Sequence, residues 1–253
     1  MSNFEKEYQS NEFWHEQGYD LKEIIESNFT TKKGLQLFDN WYSTYLYYKK
    51  YFKSVKTILE IGIGSGIHII NFERLGFGVT GIEPAKNACD LVQNKLVNGK
   101  CINGFFEDLQ LEQKFDMIYM YHTLEHIKNP KNLLEKCKNN LNDNGKIIIV
   151  VPDCTSQEKK ERSKQNKYHL WYFTRQDLSQ LLTNCGFEII DISSLKHVTK
   201  LNYQRLFRIL KNNGLEKLGR LFFPYYPFVK TNKLDSFEIR CIAQKQGMVE
   251  HDF

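Results

Sequence analysis

The sequence has no closely spaced cysteine pair, no internal repeat and no low-complexity tract. Its six cysteines, Cys89, Cys101, Cys137, Cys154, Cys185 and Cys241, are dispersed. That scatter excludes a zinc ribbon or a disulfide framework and fits reduced thiols in a cytoplasmic protein. No stretch approaches the roughly 20 apolar residues of a membrane span. The opening Met1-Ser2-Asn3-Phe4-Glu5-Lys6 lacks the basic-then-apolar order of a secretory leader. What is present excludes disorder, since 41% of the residues are hydrophobic and 14% aromatic. A chain of 253 residues suits one large domain, or one domain carrying an insertion. The excess of lysine over arginine and the abundance of asparagine suggest an AT-rich bacterial genome.

From about Lys56 onward, short β-branched runs alternate with amphipathic stretches, the pattern of βαβ units on a parallel sheet. Strands are expected at Thr57–Ile61, Gly78–Glu83, Cys101–Ile102, Phe115–Tyr121, Lys146–Val151, Phe187–Leu195 and Phe237–Gln244. The last should run antiparallel to the sixth. Helices are expected over Gly66–Leu75, after Pro84, from Asn129-Pro130 to about Asn140, and from the Thr174 cap to Gly186. Cys154 to Lys167 reads as a polar loop. The division that follows is an aromatic-rich N-terminal helical lid (residues 1–55), a core (56–195), an insertion (196–236), and a last strand with its tail (237–253). Packing of those N-terminal aromatics on the sheet edge is the alternative to a lid.

Glu60-Ile61-Gly62-Ile63-Gly64-Ser65-Gly66 lies between the first strand and the first helix. Glycines there let the backbone turn tightly and approach a ligand beside unpaired helix N–H groups. A dinucleotide fingerprint needs glycine where Ile67 stands, and a phosphate-binding Walker loop needs a Gly-Lys-Ser/Thr ending; both are missing. Glu83, seventeen residues beyond Gly66, ends the second strand, where a carboxylate can accept both ribose hydroxyls.

Five stretches in order carry a resemblance to a known family. They are Ile58 through Gly66, Val79 through Pro84, Phe115-Asp116-Met117-Ile118 through His122-Thr123-Leu124-Glu125-His126, Asn144-Gly145-Lys146 through Pro152, and His169-Leu170-Trp171-Tyr172-Phe173-Thr174. Residues 56–195 resemble a class I S-adenosylmethionine-dependent methyltransferase, of the branch with ubiquinone-biosynthesis and sugar O-methyltransferases. The resemblance implies a seven-stranded, doubly wound, Rossmann-like α/β sheet. It implies that Glu60, Gly62, Gly64 and Gly66 line the methionine end of S-adenosylmethionine and Glu83 its ribose. The family usually places an aspartate near the adenine; here Phe105 stands in its position, so Phe106 and Glu107, or Asp108, are the candidates for that contact.

The resemblance also brings His122, Glu125 and His126 close to the methyl group. An alcohol is a poor nucleophile until a base takes its proton, and histidine near neutral pH suits that task. His122 or His126 is therefore expected as the base, with Glu125 orienting an imidazole. The H-x-x-E-H pattern with His169 also offers ligands for a divalent metal. Related enzymes with such a site carry an acid where His122 stands, so no metal is expected. His169, Tyr172, Tyr19 and Arg205 are the expected substrate contacts.

Residues 196–233 hold nine basic residues and one acid, Glu216, and leave 26 basic against 29 acidic residues elsewhere. Apolar residues at helical spacing run beside the cations. This segment reads as a rim for an anionic acceptor such as a nucleotide-diphosphate sugar, as a surface lying on an acidic membrane, or as an amphipathic cover at a homodimer interface. A nucleic-acid polymer fits poorly, because no recognition motif interleaves the cations. The expected activity is O-methylation of a sugar hydroxyl, with a heptose destined for capsule or surface polysaccharide as one such acceptor. A quinone or phenolic acceptor, and a non-catalytic cofactor-binding protein, are the alternatives.

Overall fold

The computed structural model describes residues 20–26, 41–42, 44–196, 229–230 and 237–246. In chain order its labelled elements are α1 (Leu21–Glu26), β1 (Thr57–Ile61), α2 (Ile67–Arg74), β2 (Gly78–Glu83), α3 (Lys86–Gln93), β3 (Lys100–Asn103), β4 (Phe115–Tyr121), α4 (Pro130–Asn139), β5 (Leu141–Pro152), α5 (Gln157–Lys164), α6 (Arg175–Asn184), β6 (Phe187–Lys196), β7 (Val229–Lys230) and β8 (Glu238–Lys245).

The strands form one sheet in the order β3-β2-β1-β4-β5-β8-β6-β7. β1 pairs in parallel with both β2 and β4, and β8 lies antiparallel between β5 and β6. Seven of these strands are the expected Rossmann-like set, and β7 adds a two-residue edge beyond it. The chain reverses direction across the sheet between β1 and β4, so the loops after these two strands share one carboxyl edge. Ligands bind open α/β sheets at such a switch point.

Local chemistry sets the boundaries. Asn129 caps α4 by accepting the Asn132 N–H, and Pro130 occupies the first turn, where a missing N–H costs nothing. Thr174 and Asp177 form a reciprocal capping box at α6. Two expectations change. Residues 157–164, expected as loop, form α5, a polar helix capped by Ser156 that periodicity could not reveal because it has no apolar face. β5 begins at Leu141 rather than Lys146; its register against β4 shifts, and Asn144 takes a left-handed φ of 59°.

The sheet is covered on both faces. Ile58, Val79, Met117, Tyr119 and Ile148 pack against α2 and α3 on one side. Leu59, Ile118, Met120, Ile147 and Ile149 pack against α4 and α6 on the other. Each such fully buried side chain is worth roughly 1.5–3 kcal/mol. The helical residues 41–42 and 44–48 bring Trp41 and Tyr48 into the first of these layers, where Trp41 meets Phe72 edge-on at 5.5 Å. Trp41 and Tyr48 are thus core residues. Among the described residues no helix is long and apolar enough to cross a membrane. Apart from β7, residues 197–236 lie outside the described residues, as do Phe13, Trp14, Tyr19 and Arg205.

Candidate active site

The glycine loop leaves β1 through three left-handed residues, Gly62, Gly64 and Gly66, with φ of 76°, 51° and 70°. A Cβ on Gly62 would lie 2.5 Å from Thr123 Oγ1, and one on Gly66 would lie 2.4 Å from Val92 Cγ2. Only hydrogen fits at either position. The loop therefore offers bare backbone, next to an α2 N-terminus that no side chain caps.

Glu83 closes this cradle from β2. It is 1% exposed, and its carboxylate accepts the Gly64 N–H and the Ala85 N–H, each at 3.0 Å. Burial pushes its pKa up to about 7, against the pull of those two amides. A carboxylate with one oxygen on each amide keeps lone pairs for two hydroxyls, so these residues fit an adenosyl ribose. Glu60 lies lower, buried, with Oε1 2.8 Å from His68 Nδ1; its place is under the loop, supporting α2. Burial raises its pKa, and the His68 partner offsets part of that rise. At the adenine side Phe106 does not line a cleft. It is 1% exposed in the core, with Lys136 Nζ 5.0 Å above its ring. Phe105 is half-buried, and Glu107 and Asp108 are exposed.

The loop after β4 carries the reacting groups. His122 has a left-handed φ of 51°, unusual for a side-chain-bearing residue and frequent at functional sites. Its ring spans two acids: Nδ1 lies 3.1 Å from Glu125 Oε1, and Nε2 lies 3.2 Å from Glu238 Oε1. Burial favours the neutral ring, but the two carboxylates win and push its pKa up to about 10. Both ring nitrogens of His122 thus face carboxylates, which favours the charged ring.

Glu238 also accepts Tyr121 O–H at 2.5 Å and Arg240 Nη2 at 2.9 Å. Arg240 is 0% exposed, so the two acids and the guanidinium are buried, with the partly exposed His122 ring between the acids. Glu238 and Arg240 come from β8, and nothing in the sequence motifs singled them out. The only signal was two opposite charges at i and i+2 in an otherwise apolar strand, which face the same side.

His126 is buried, and its Nδ1 lies 2.9 Å from the Tyr168 carbonyl. That carbonyl accepts the Nδ1 proton and leaves the lone pair on Nε2. Burial lowers the His126 pKa, opposed by Glu125 and by the Tyr168 bond. Glu125 is also buried; burial works against its charge, and the His122 bond outweighs it and lowers its pKa. Its Oε2 has no hydrogen-bond partner among the described residues. The 166–173 segment is strapped onto this loop. The Leu170 and Trp171 N–H groups both donate to the Glu125 carbonyl, and Trp171 Nε1 donates to the Ile127 carbonyl. His169 arrives 4.9 Å from the His126 ring, and burial lowers its pKa to about 4. Tyr172 O–H donates to the His169 carbonyl, which makes Tyr172 part of the strap.

Glu125, His126 and His169 bring ligand atoms within 4.8 Å of one another. The His169 nitrogens are nonetheless engaged, with Ser163 Oγ at 2.7 Å and Asn166 Nδ2 at 3.1 Å. The cluster suits proton transfer and hydrogen bonding to a polar acceptor.

A family model described as a methyltransferase domain matches residues 34–192, more than half of the chain. The chain belongs to this methyltransferase family. The methyltransferase is 26% identical over 202 residues to an uncharacterized methyltransferase of Alkaliphilus oremlandii, across 64% of this chain and 93% of that one. It is 32% identical over 113 residues to a ubiquinone biosynthesis O-methyltransferase of Glaesserella parasuis, across 40% of this chain but only 48% of the relative. Among solved structures, a SAM-dependent methyltransferase from Archaeoglobus fulgidus superposes with a TM-score of 0.61 at 18% identity, over 88% of this chain and 98% of that one. A plantazolicin methyltransferase solved with S-adenosylhomocysteine gives 0.60 at 16%, over 96% and 97%. The protein is a class I methyltransferase enzyme that uses S-adenosylmethionine.

Proposed function

We propose that this methyltransferase transfers the methyl group to a hydroxyl of a small polar acceptor, with His126 as general base. The observation that carries this reading is the Tyr168 carbonyl 2.9 Å from His126 Nδ1, which favours the tautomer with its lone pair on Nε2. S-adenosylmethionine supplies an activated methyl when bound. The chain's own residues then have three tasks. Gly62, Gly64, Gly66 and Glu83 hold the cofactor by backbone and carboxylate. His122, fixed by Glu125 and Glu238, stays charged and orients the loop. His126 takes the acceptor proton, and Glu125 Oε2 accepts from a neighbouring hydroxyl.

Several polar groups converging at one loop favour a polyhydroxylic acceptor, and the nine cations of residues 196–233 favour one that carries phosphate. We therefore propose a nucleotide-diphosphate sugar. The second reading, a quinone or phenol, is favoured by the match to ubiquinone biosynthesis O-methyltransferases. The test is a screen of nucleotide sugars and catechols with methyl-labelled cofactor. A labelled sugar, abolished by His126→Asn, supports the proposal; label in catechols alone selects the second reading. Cofactor binding without transfer to any acceptor would reject both in favour of a non-catalytic binder.

A further inference from the structure

Cys89 and Cys101 stand apart from the other thiols. Cys89 is on α3, 3% exposed, and Cys101 is half-buried on β3, the edge strand of the sheet. Their sulfurs are 2.6 Å apart, closer than non-bonded contact and little more than a disulfide's ~2.05 Å. The two elements are also tied independently: Gln93 of α3 accepts the Cys101 N–H at 2.7 Å and donates to the Gly99 carbonyl at 3.2 Å. The thiols therefore meet on a fixed frame.

We propose that Cys89 and Cys101 are a redox modification site that closes to a disulfide and stiffens the adenine side of the cofactor cleft. The contact between them draws Cys89 below the usual thiol range and pushes Cys101 above it, so Cys89 is the thiol of the pair that ionises first. The oxidant is a peroxide. The thiolate attacks a peroxide oxygen and yields a sulfenic acid and hydroxide; the second thiol then displaces water and forms the S–S bond. Two thiols and one peroxide give one disulfide and two waters.

The position gives this bond a consequence, which rests on the cofactor placement above. α3 begins just after Ala85, whose N–H holds Glu83. β3 ends at Asn103, whose side chain donates to the Glu83 and Pro84 carbonyls at 2.9 Å each, and Gly104 N–H donates to the Glu83 carbonyl at 3.0 Å. A bond from α3 to β3 clamps both supports of the ribose carboxylate together.

The experiment is peptide mapping of the intact protein after hydrogen peroxide and alkylation. Trypsin cuts after Lys86, Lys95, Lys100 and Lys114, so the disulfide links peptide 87–95 to peptide 101–114 with 96–100 lost between them. The expected product is that linked pair, lighter by two hydrogens and separated by reductant, with the other four cysteines alkylated only after unfolding. The thirteen-residue loop closed should raise Tm by roughly 5 °C in the oxidised form. Exchange of S-adenosylhomocysteine should slow several-fold on oxidation. Cys89→Ser and Cys101→Ser should each remove all three effects. Alkylation of both cysteines in peroxide-treated protein, or a link to any other cysteine or to a second chain, would overturn the site. Unchanged exchange in protein carrying the link would overturn the clamp. Failure of the reduced protein to bind S-adenosylhomocysteine would instead reject the cofactor placement and leave the disulfide standing.

Discussion

Glu83 and His122 are both held far from their ordinary protonation ranges, in ways that pH can read. Glu83 has an ordinary pKa of 4.5 and is raised to about 7 in the fold. Its contribution to stability is complete below 4.5 and is lost as pH rises through 7. The anion accepts from ribose hydroxyls on both oxygens and more strongly than the neutral acid, so S-adenosylhomocysteine affinity should tighten between pH 6 and 8, measured by calorimetry. Glu83→Gln should weaken it about 10- to 100-fold and flatten the profile. His122 behaves in the opposite charge sense. Its ordinary value of 6.5 is raised to about 10, so the stability it lends is full below 6.5 and disappears as pH climbs through 10. Its ring remains 34% exposed, so His122→Asn should cost only about 2 kcal/mol in denaturant melts, less than the roughly 3–5 kcal/mol of breaking a fully buried pair. His126→Asn should leave cofactor affinity intact and reduce turnover about 100-fold or more. At saturating cofactor the wild-type rate should fall only below pH 6.5, because the His126 pKa is lowered. Exhaustive chelation should leave turnover unchanged if His126 is a base and not a ligand. Glu83 and His126 were visible as motif positions, but the shifts in their protonation were not. Glu238 makes the difference at His122, and it lies 116 residues away in the chain.

At the scale of elements, the glycine loop and the loop after β4 are one unit. Thr123 Oγ1 donates to the Ile61 carbonyl at 3.0 Å and fills the space where a Gly62 side chain would go. Gly62→Ala should therefore push the two loops apart, lowering stability by about 1–3 kcal/mol and abolishing cofactor binding. A Tm that does not move would show that the loops are independent. Strands β1, β2 and β4 were legible residue by residue because buried parallel strands are β-branched runs punctuated by glycine or proline. Helix α5 was not, since Gln157–Lys164 has no apolar periodicity and is held by a serine cap. The aromatics at 41–52 were legible as a cluster but not as core, because their partners Phe72 and Phe77 lie on another helix and its exit. Phe105 and Phe106 show the same limit: adjacent rings with opposite fates, decided by which of them meets the α4 side of the sheet.

Over the whole molecule, the formal charge of +5 hides a body of 26 basic against 29 acidic residues and a segment of nine against one. If that segment grips phosphate, Arg205→Glu with Arg208→Glu should raise the acceptor KM at least about tenfold with kcat and cofactor affinity preserved. Rising salt should mimic the double variant. Insensitivity of KM to both changes would remove phosphate from the acceptor and leave the quinone or phenol reading.

The placement of β8 has a bearing on how the enzyme comes into being. Translation supplies the cofactor loop, His122 and His126 long before it supplies Glu238 and Arg240, and the strand carrying the latter must slot between two strands already made. A growing chain can thus build the glycine loop early, while His122 waits for its second carboxylate until β8 has emerged. A protein arrested before β8 would leave the His122 ring with Glu125 but not Glu238.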